Sequence, residues 1–257
     1  MTTRIAAISQ DYPSDSSVSA IEDIALREIV VNSLAWNNIP GEILAAQRSI
    51  CDKLGISLRQ CLEDNMDHGT WIDSVISQAK ADDLIVFCDV DAFPLSRVAF
   101  QRAIHHAETG AVFGLAQTAN HLGRPLHLYA GPMFLAFRKS TWRQAGSPSL
   151  RPTRQFDVGQ YLSHAASEHG VPVELLRPTV CLIPRWPLGN AGVFGYATFY
   201  GECEYFHLFG ARERRYLELF TAVADDVLQG RKPDFAAYLK FAGAPAYQTT
   251  PNPPDVT

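Results

Sequence analysis

The chain has 257 residues, 47% apolar and 19% charged, with a formal net charge of -5. That length supports a large α/β core, while the acidic balance and the lack of a long basic run argue against a nucleic-acid partner. Five cysteines, at 51, 61, 88, 181 and 203, are odd in number and form no Cys-x-x-Cys pair, so a zinc ribbon or disulfide framework is set aside and a reducing compartment is expected.

Residues 1–20 hold no basic start followed by an apolar stretch. No apolar run approaches the ~20 residues that cross a bilayer. The expectation is a soluble, cytoplasmic protein with no transmembrane segment.

Taken in order, 5–9 reads as a short first strand and 11–17 as a polar loop. Apolar residues at 21, 24, 25, 26, 29, 30, 31 and 34 follow a helical spacing, which predicts a helix over 21–34. Asn37-Asn38-Ile39-Pro40-Gly41 breaks it. A second helix is predicted over 42–54 and stops at Gly55. A short strand at 56–58 and a polar loop at 63–69 follow. Thr70 is the expected cap of a helix running to residue 80.

Leu84-Ile85-Val86-Phe87-Cys88 is an unbroken apolar run, too short for an independent helix. It reads as a strand buried on both faces. Ser96 caps the next helix, through 108. A strand is predicted at 111–116 and a loop at 118–124. The apolar stretch 128–137 is interrupted by Gly131-Pro132, which marks an edge, a bulge or a strand start. A short helix from Ser140 ends at Gly146, a loop spans 147–155, and a helix over 158–169 is closed by Gly170. Strands are expected at 171–176, 180–183 and 205–208, with a Gly- and aromatic-rich loop and short strand between 186 and 201. Helices at 212–228 and 235–241 complete the ordered chain. The segment 244–257 holds four prolines and is expected to be a loose tail after a single domain at 1–243. Helix and strand alternate over 70–182, which favours a mostly parallel sheet flanked by helices, and the last third looks antiparallel.

The buried strand ends on Asp89-Val90-Asp91. Ligands of open α/β sheets sit beyond the carboxyl ends of the strands. Strand alternation would put both carboxylates on one side, and a hard divalent cation relieves their repulsion. The alternative is turn chemistry ahead of a helix.

Three further pieces follow: Tyr129-Ala130-Gly131-Pro132-Met133-Phe134, Phe156-Asp157-Val158-Gly159, and His207-Leu208-Phe209-Gly210. With the Asp-x-Asp strand end, this order resembles glycosyltransferases of the GT-A fold, over roughly residues 70 to 210. The resemblance implies a single Rossmann-like GT-A domain and transfer of a sugar from a UDP- or GDP-sugar. The acceptor would be a glycan, lipid or protein. It implies Mn²⁺ or Mg²⁺ held by Asp89, Asp91 and His207, with Asp89 also near the nucleotide. Gly131 and Pro132 would wall the donor pocket, and Asp157 would face the acceptor as a catalytic base. The Lys-Pro that follows His-x-x-Gly in glycogenin-like transferases is absent; Arg212 or Arg214 would make the diphosphate contact instead.

Each residue has a plainer reading. Asp157 can cap a helix, and His207 can be a core histidine. Asn120-His121 can be a solvated loop, and Asp67-His68-Gly69 a turn and cap. Trp186, Phe194, Tyr196, Phe199 and Tyr200 can be core rather than sugar-stacking platforms. Two other classes compete. Haloacid-dehalogenase phosphohydrolases also place Asp-x-Asp after an apolar strand, but want Thr or Val where Phe93 stands. A non-catalytic module binding a glycan or nucleotide sugar is the other. Translesion polymerases carry a similar string near the N-terminus of a basic chain, unlike this one.

Overall fold

A computed structural model describes residues 28–119, 127–242 and 247–248. The expected strand at 5–9 and loop at 11–17 lie outside the described residues. Residues 30–35 are not the end of a helix. They form a strand, β1 (Val30–Ala35), paired in parallel with β2 (Ser57–Leu62). A strand buried on both faces needs no polar side, so Ile29, Val30, Val31 and Leu34 imitate a helical pattern over a short window.

Between these strands runs α1 (Gly41–Leu54), stopped by Gly55 at φ 69. The next helix, α2 (His68–Gln78), is capped by Asp67 rather than by Thr70: the Asp67 carboxylate accepts the backbone N–H of Thr70 at 2.8 Å. The apolar run forms β3 (Leu84–Cys88), followed by β4 (Ala92–Pro94) and by α3 (Arg97–Glu108), whose Ser96 side chain accepts from the Ala99 N–H. Then come β5 (Val112–Gln117), β6 (Tyr129–Arg138), α4 (Lys139–Gln144), α5 (Gln160–Glu168) and β7 (Val173–Leu176).

The main sheet has the order β2-β1-β3-β6-β5-β7. All pairings are parallel except those of β6, which runs against both β3 and β5. Alternation sorts the side chains by face. Val86, Cys88, Phe134 and Ala136 pack under α3 with Phe100 and Ile104. Ile85, Phe87, Leu135 and Phe137 pack against Trp71, Ile72 and Leu162 of α2 and α5. β6 is an interior strand, so of the three options for Gly131-Pro132 it is the bulge that the fold uses. Leu115 pairs with Gly131 while Gly114 pairs with Leu135. The N–H that proline lacks falls where the ladder is already interrupted.

The remaining chain builds β8 (Pro178–Cys181), β9 (Pro184–Pro187), β10 (Val193–Gly195), β11 (Thr198–Tyr200), β12 (Tyr205–His207), α6 (Leu217–Leu228), α7 (Phe235–Ala242) and β13 (Tyr247–Gln248). β9 and β10 form a two-stranded antiparallel ribbon. The second sheet, β13-β8-β11-β12-β4, is antiparallel throughout. Phe93, Phe199, Phe206 and Phe220 pack beneath it with α6 and α7. Within the expected loose tail, Tyr247 and Gln248 pair with β8. Among the described residues no helix is long and apolar enough to cross a membrane.

One step of the topology positions the site. β3 belongs to the main sheet and β4 to the second. The three residues between them, Asp89-Val90-Asp91, therefore sit at the seam where one sheet hands the chain to the other.

Candidate metal centre

Asp89 and Asp91 do not reach a common side by strand alternation. The strand ends at Cys88, and a turn closes when the Ala92 N–H donates to the Asp89 carbonyl at 3.0 Å. Three contacts hold this turn. The Asp89 N–H donates to the Met133 carbonyl of β6 at 3.1 Å, and the Leu208 N–H donates to the Asp91 carbonyl at 2.9 Å. From below, the fully buried Gln47 of α1 donates its amide to the carbonyls of Asp89 at 2.7 Å and Ala92 at 3.2 Å. The other end of the same amide accepts from Ser33 at 3.2 Å and Gln60 at 3.0 Å. Gln47 is thus the peg on which both ends of the acidic turn hang.

β12 delivers the third group. It pairs with β4 so that His207 lies opposite Ala92. Asp89, Asp91 and His207 each offer one ligand atom, and these atoms all lie within 4.8 Å of one another. One ion with bonds of about 2.0–2.6 Å can engage such a set after small side-chain rotations. His207 Nε2 stands 3.6 Å from Asp91 Oδ1, and His68 Nε2 stands 3.4 Å from Asp89 Oδ1.

The electrostatics suit a cation. Burial, and then the charge of Asp89, push the Asp91 carboxyl well above the usual carboxylate range. Burial lowers His207 to about 4, so its ring is neutral at pH 7 and offers a lone pair. A divalent ion would reverse the cost of ionising Asp91. The Nδ1 of His207 is buried without a hydrogen-bond partner among the described residues. The donor set of two carboxylates and one imidazole fits Mn²⁺ or Mg²⁺, with imidazole tilting the balance toward Mn²⁺.

These groups line a cavity of about 270 Å³, together with Trp36, His68, Phe209 and Arg212. Trp36 follows β1 directly and donates its indole N–H to the Met66 carbonyl at 3.1 Å. The Arg212 guanidinium lies 4.9 Å from the centre of the Trp36 ring, and its Nε donates to Asn38 at 3.1 Å. One wall of the cleft is cationic and aromatic, and its floor is acidic.

Of the residues singled out in the sequence, Asp89, Asp91, His207 and Arg212 meet in this cleft. Gly131, Pro132 and Asp157 are not among its lining residues. A Cβ on Gly131 would lie 2.6 Å from the Met133 sulfur and 2.8 Å from the Gln117 side chain, so a larger residue there would push those two flexible side chains aside, a packing role rather than a wall of this cleft. Asp157 is half-buried and is not the helix cap: the N-cap of α5 is Gly159, at φ 76. Its carboxylate accepts the Tyr129 hydroxyl at 3.1 Å and the Val158 N–H at 2.8 Å. Phe199 and Tyr200 are fully buried, and Trp186 stacks on Phe194, which is the packing reading of those aromatics. Asn120-His121 lies outside the described residues.

The sequence did not single out Trp36 or Gln47, and for His68 it favoured a turn. Trp36 stands one residue past the carboxyl end of a buried strand, the position that marked Asp89. Reading 21–34 as a helix hid it.

Comparison with known proteins finds no family model that matches this chain and no curated protein that matches it. Fold and site define a class by themselves: a mixed α/β protein, its mostly parallel sheet flanked by helices, with a carboxylate–imidazole cluster at the seam of two sheets.

Proposed function

We propose that the protein is a metal-dependent glycosyltransferase of the GT-A kind, hexosyltransferase-like, taking its sugar from a UDP- or GDP-sugar. The observation that carries this reading is the convergence of Asp89, Asp91 and His207, within 4.8 Å, in a cleft that also holds Arg212. A nucleotide sugar leaves a diphosphate with new negative charge as its glycosidic bond breaks. Bound Mn²⁺ or Mg²⁺ would supply charge neutralisation to those oxygens. Asp89, Asp91 and His207 would hold the ion. Arg212, fixed by Trp36 and Asn38, presents a second cation to the same oxygens. His68 orients the Asp89 carboxylate. Asp157 is the candidate base for an acceptor hydroxyl, oriented by Tyr129. All five cysteines are free thiols, which fits action in the reducing cytoplasm.

The test is a thermal-shift panel. UDP or GDP should raise the melting temperature only with Mn²⁺ or Mg²⁺ present, and Asp91→Ala should abolish the rise while the protein still folds. A nucleotide shift that ignores metal, or that survives in Asp91→Ala, removes this centre from the reaction.

A further inference from the structure

The chain is acidic overall, at -5, yet one exposed rim beside the second sheet is basic. Arg185 stands on the β9–β10 ribbon, and Arg212, Arg214 and Arg215 follow β12 on the way to α6; all four are exposed. The segments 183–200 and 205–217 contain a single acidic residue, Glu213, which pairs with Arg215 at 2.6 Å.

The two segments meet on Tyr196. Its ring lies 4.9 Å from the Arg185 guanidinium, 5.3 Å from Tyr216 and 5.9 Å from both Trp186 and Phe209. The Arg215 guanidinium in turn lies 4.6 Å from the centre of the Tyr216 ring. Arg185 and Arg215 are therefore held on one aromatic base. Stacking occupies the flat face of a guanidinium and leaves its edge N–H donors for a partner. Phe209, 38% exposed, joins this rim to the metal cleft, which it also lines.

Charge and shape choose the partner. Guanidinium groups side by side match phosphate oxygens. A single-stranded nucleic acid would also need open ring faces on which its bases stack. The faces of Trp186 are taken: Phe194 stacks on it at 4.9 Å, and the Arg185 guanidinium lies over it at 5.0 Å. A lipid surface needs only cations beside exposed apolar groups, here Phe209 and the ribbon residues Pro184 and Pro187. With a screening length of about 10 Å, the acidic remainder of the chain weakens such a contact little.

We infer that this arginine–aromatic rim docks the protein on an anionic phospholipid surface, with the metal cleft beside the contact. The inference does not depend on what the cleft catalyses. The test is co-sedimentation of the full chain with vesicles of phosphatidylcholine alone and of phosphatidylcholine with about 30% phosphatidylglycerol. The protein should sediment only with the anionic vesicles, and should be released when NaCl is raised from about 0.1 to about 0.5 M. Arg185→Gln and Arg215→Gln should each weaken binding about fivefold, the effect of one arginine near such a surface. Arg185→Lys, which keeps the charge, and Arg143→Gln, on α4 of the main sheet, should stay within about twofold of native. Neither glutamine variant should change the metal-dependent nucleotide shift. Melting temperatures identify any variant that fails to fold, and because Arg185 and Arg215 lie on separate segments, either one carries the test. No sedimentation with anionic vesicles, equal sedimentation with neutral ones, or native binding by the folded glutamine variants would overturn the inference. A single-stranded oligonucleotide that binds in preference to the anionic vesicles, in direct competition, would assign the rim to nucleic acid instead. Vesicle binding by a native chain that shows no metal-dependent nucleotide shift would uphold the inference and sink the transferase reading.

Discussion

Thr70 shows how one side chain can be assigned the wrong job by a shift of three residues, while the plainer reading of Asp67 as part of a turn and cap holds. Thr70 has the chemistry of a cap, yet it is Asp67 whose carboxylate takes the Thr70 N–H and hydroxyl, both at 2.8 Å. Desolvation alone would raise the Asp67 carboxyl, but the two Thr70 hydrogen bonds and the nearby His68 and Arg151 outweigh it and hold it below the ordinary value. Asp67→Ala should cost about 0.5–1 kcal/mol, at the lower part of the capping range because the group is exposed. A carboxylate with a depressed folded pKa stabilises above its unfolded pKa and loses that contribution as pH falls through the folded value. The gap between native and variant melting curves should be full at pH 7 and close below about pH 4. An unchanged gap at pH 3 would assign the stabilisation to packing rather than charge.

Helix α1 and strand β6 do their work as elements. α1 brings Gln47 under the acidic turn, so the turn's shape is set by a residue more than forty positions upstream. Gln47→Met keeps the volume but removes the amide donor shared by the Asp89 and Ala92 carbonyls, which keep only the Ala92 N–H and the Cys88 thiol, and it leaves Ser33 and Gln60 without their acceptor. We expect a loss of about 1–3 kcal/mol of stability. We also expect weaker Mn²⁺ binding, read by electron paramagnetic resonance at temperatures where the variant is fully folded. Ser33→Ala, which touches only the accepting end of Gln47, should leave Mn²⁺ affinity near native. Strand β6 depends on close backbone approach. A Cβ on Gly114 would stand 2.7 Å from the Ala130 Cβ, beside the bulge that accommodates Pro132. Gly114→Ala should destabilise by about 1–3 kcal/mol through overpacking. A denaturation midpoint equal to the native one would show that the β5–β6 pair can separate freely.

For the molecule as a whole, the question is whether two sheets make one cooperative unit. The chain passes from one to the other through the acidic turn. Phe93 of β4 packs on Phe206 and Phe220, 5.5 and 5.3 Å away between ring centres. Phe206→Ala, in the second sheet's core, should cost about 3–5 kcal/mol, and so should Phe134→Ala in the main sheet's core. If the sheets fold together, either variant shifts a single urea transition monitored by tryptophan fluorescence and by circular dichroism. Two separated transitions in either variant would divide the chain into independent units.

What the sequence determined by itself was local and compositional. The interior strand at 84–88, the helices behind Ser96 and before Gly55, the free thiols and the antiparallel last third followed from apolar runs, caps and breakers, whose physics acts within a few residues. The pair Asp89 and Asp91 was legible because it ends a buried strand. Tertiary structure decided the rest. It turned 30–35 into a strand, because burial on both faces erases the difference between helical and extended patterns. It placed Gly131-Pro132 at an interior bulge, and it brought Trp36, Gln47, His68, His207 and Arg212 around two carboxylates. Those residues come from six separate stretches of chain, and only the pairing of strands across two sheets sets the distances between them.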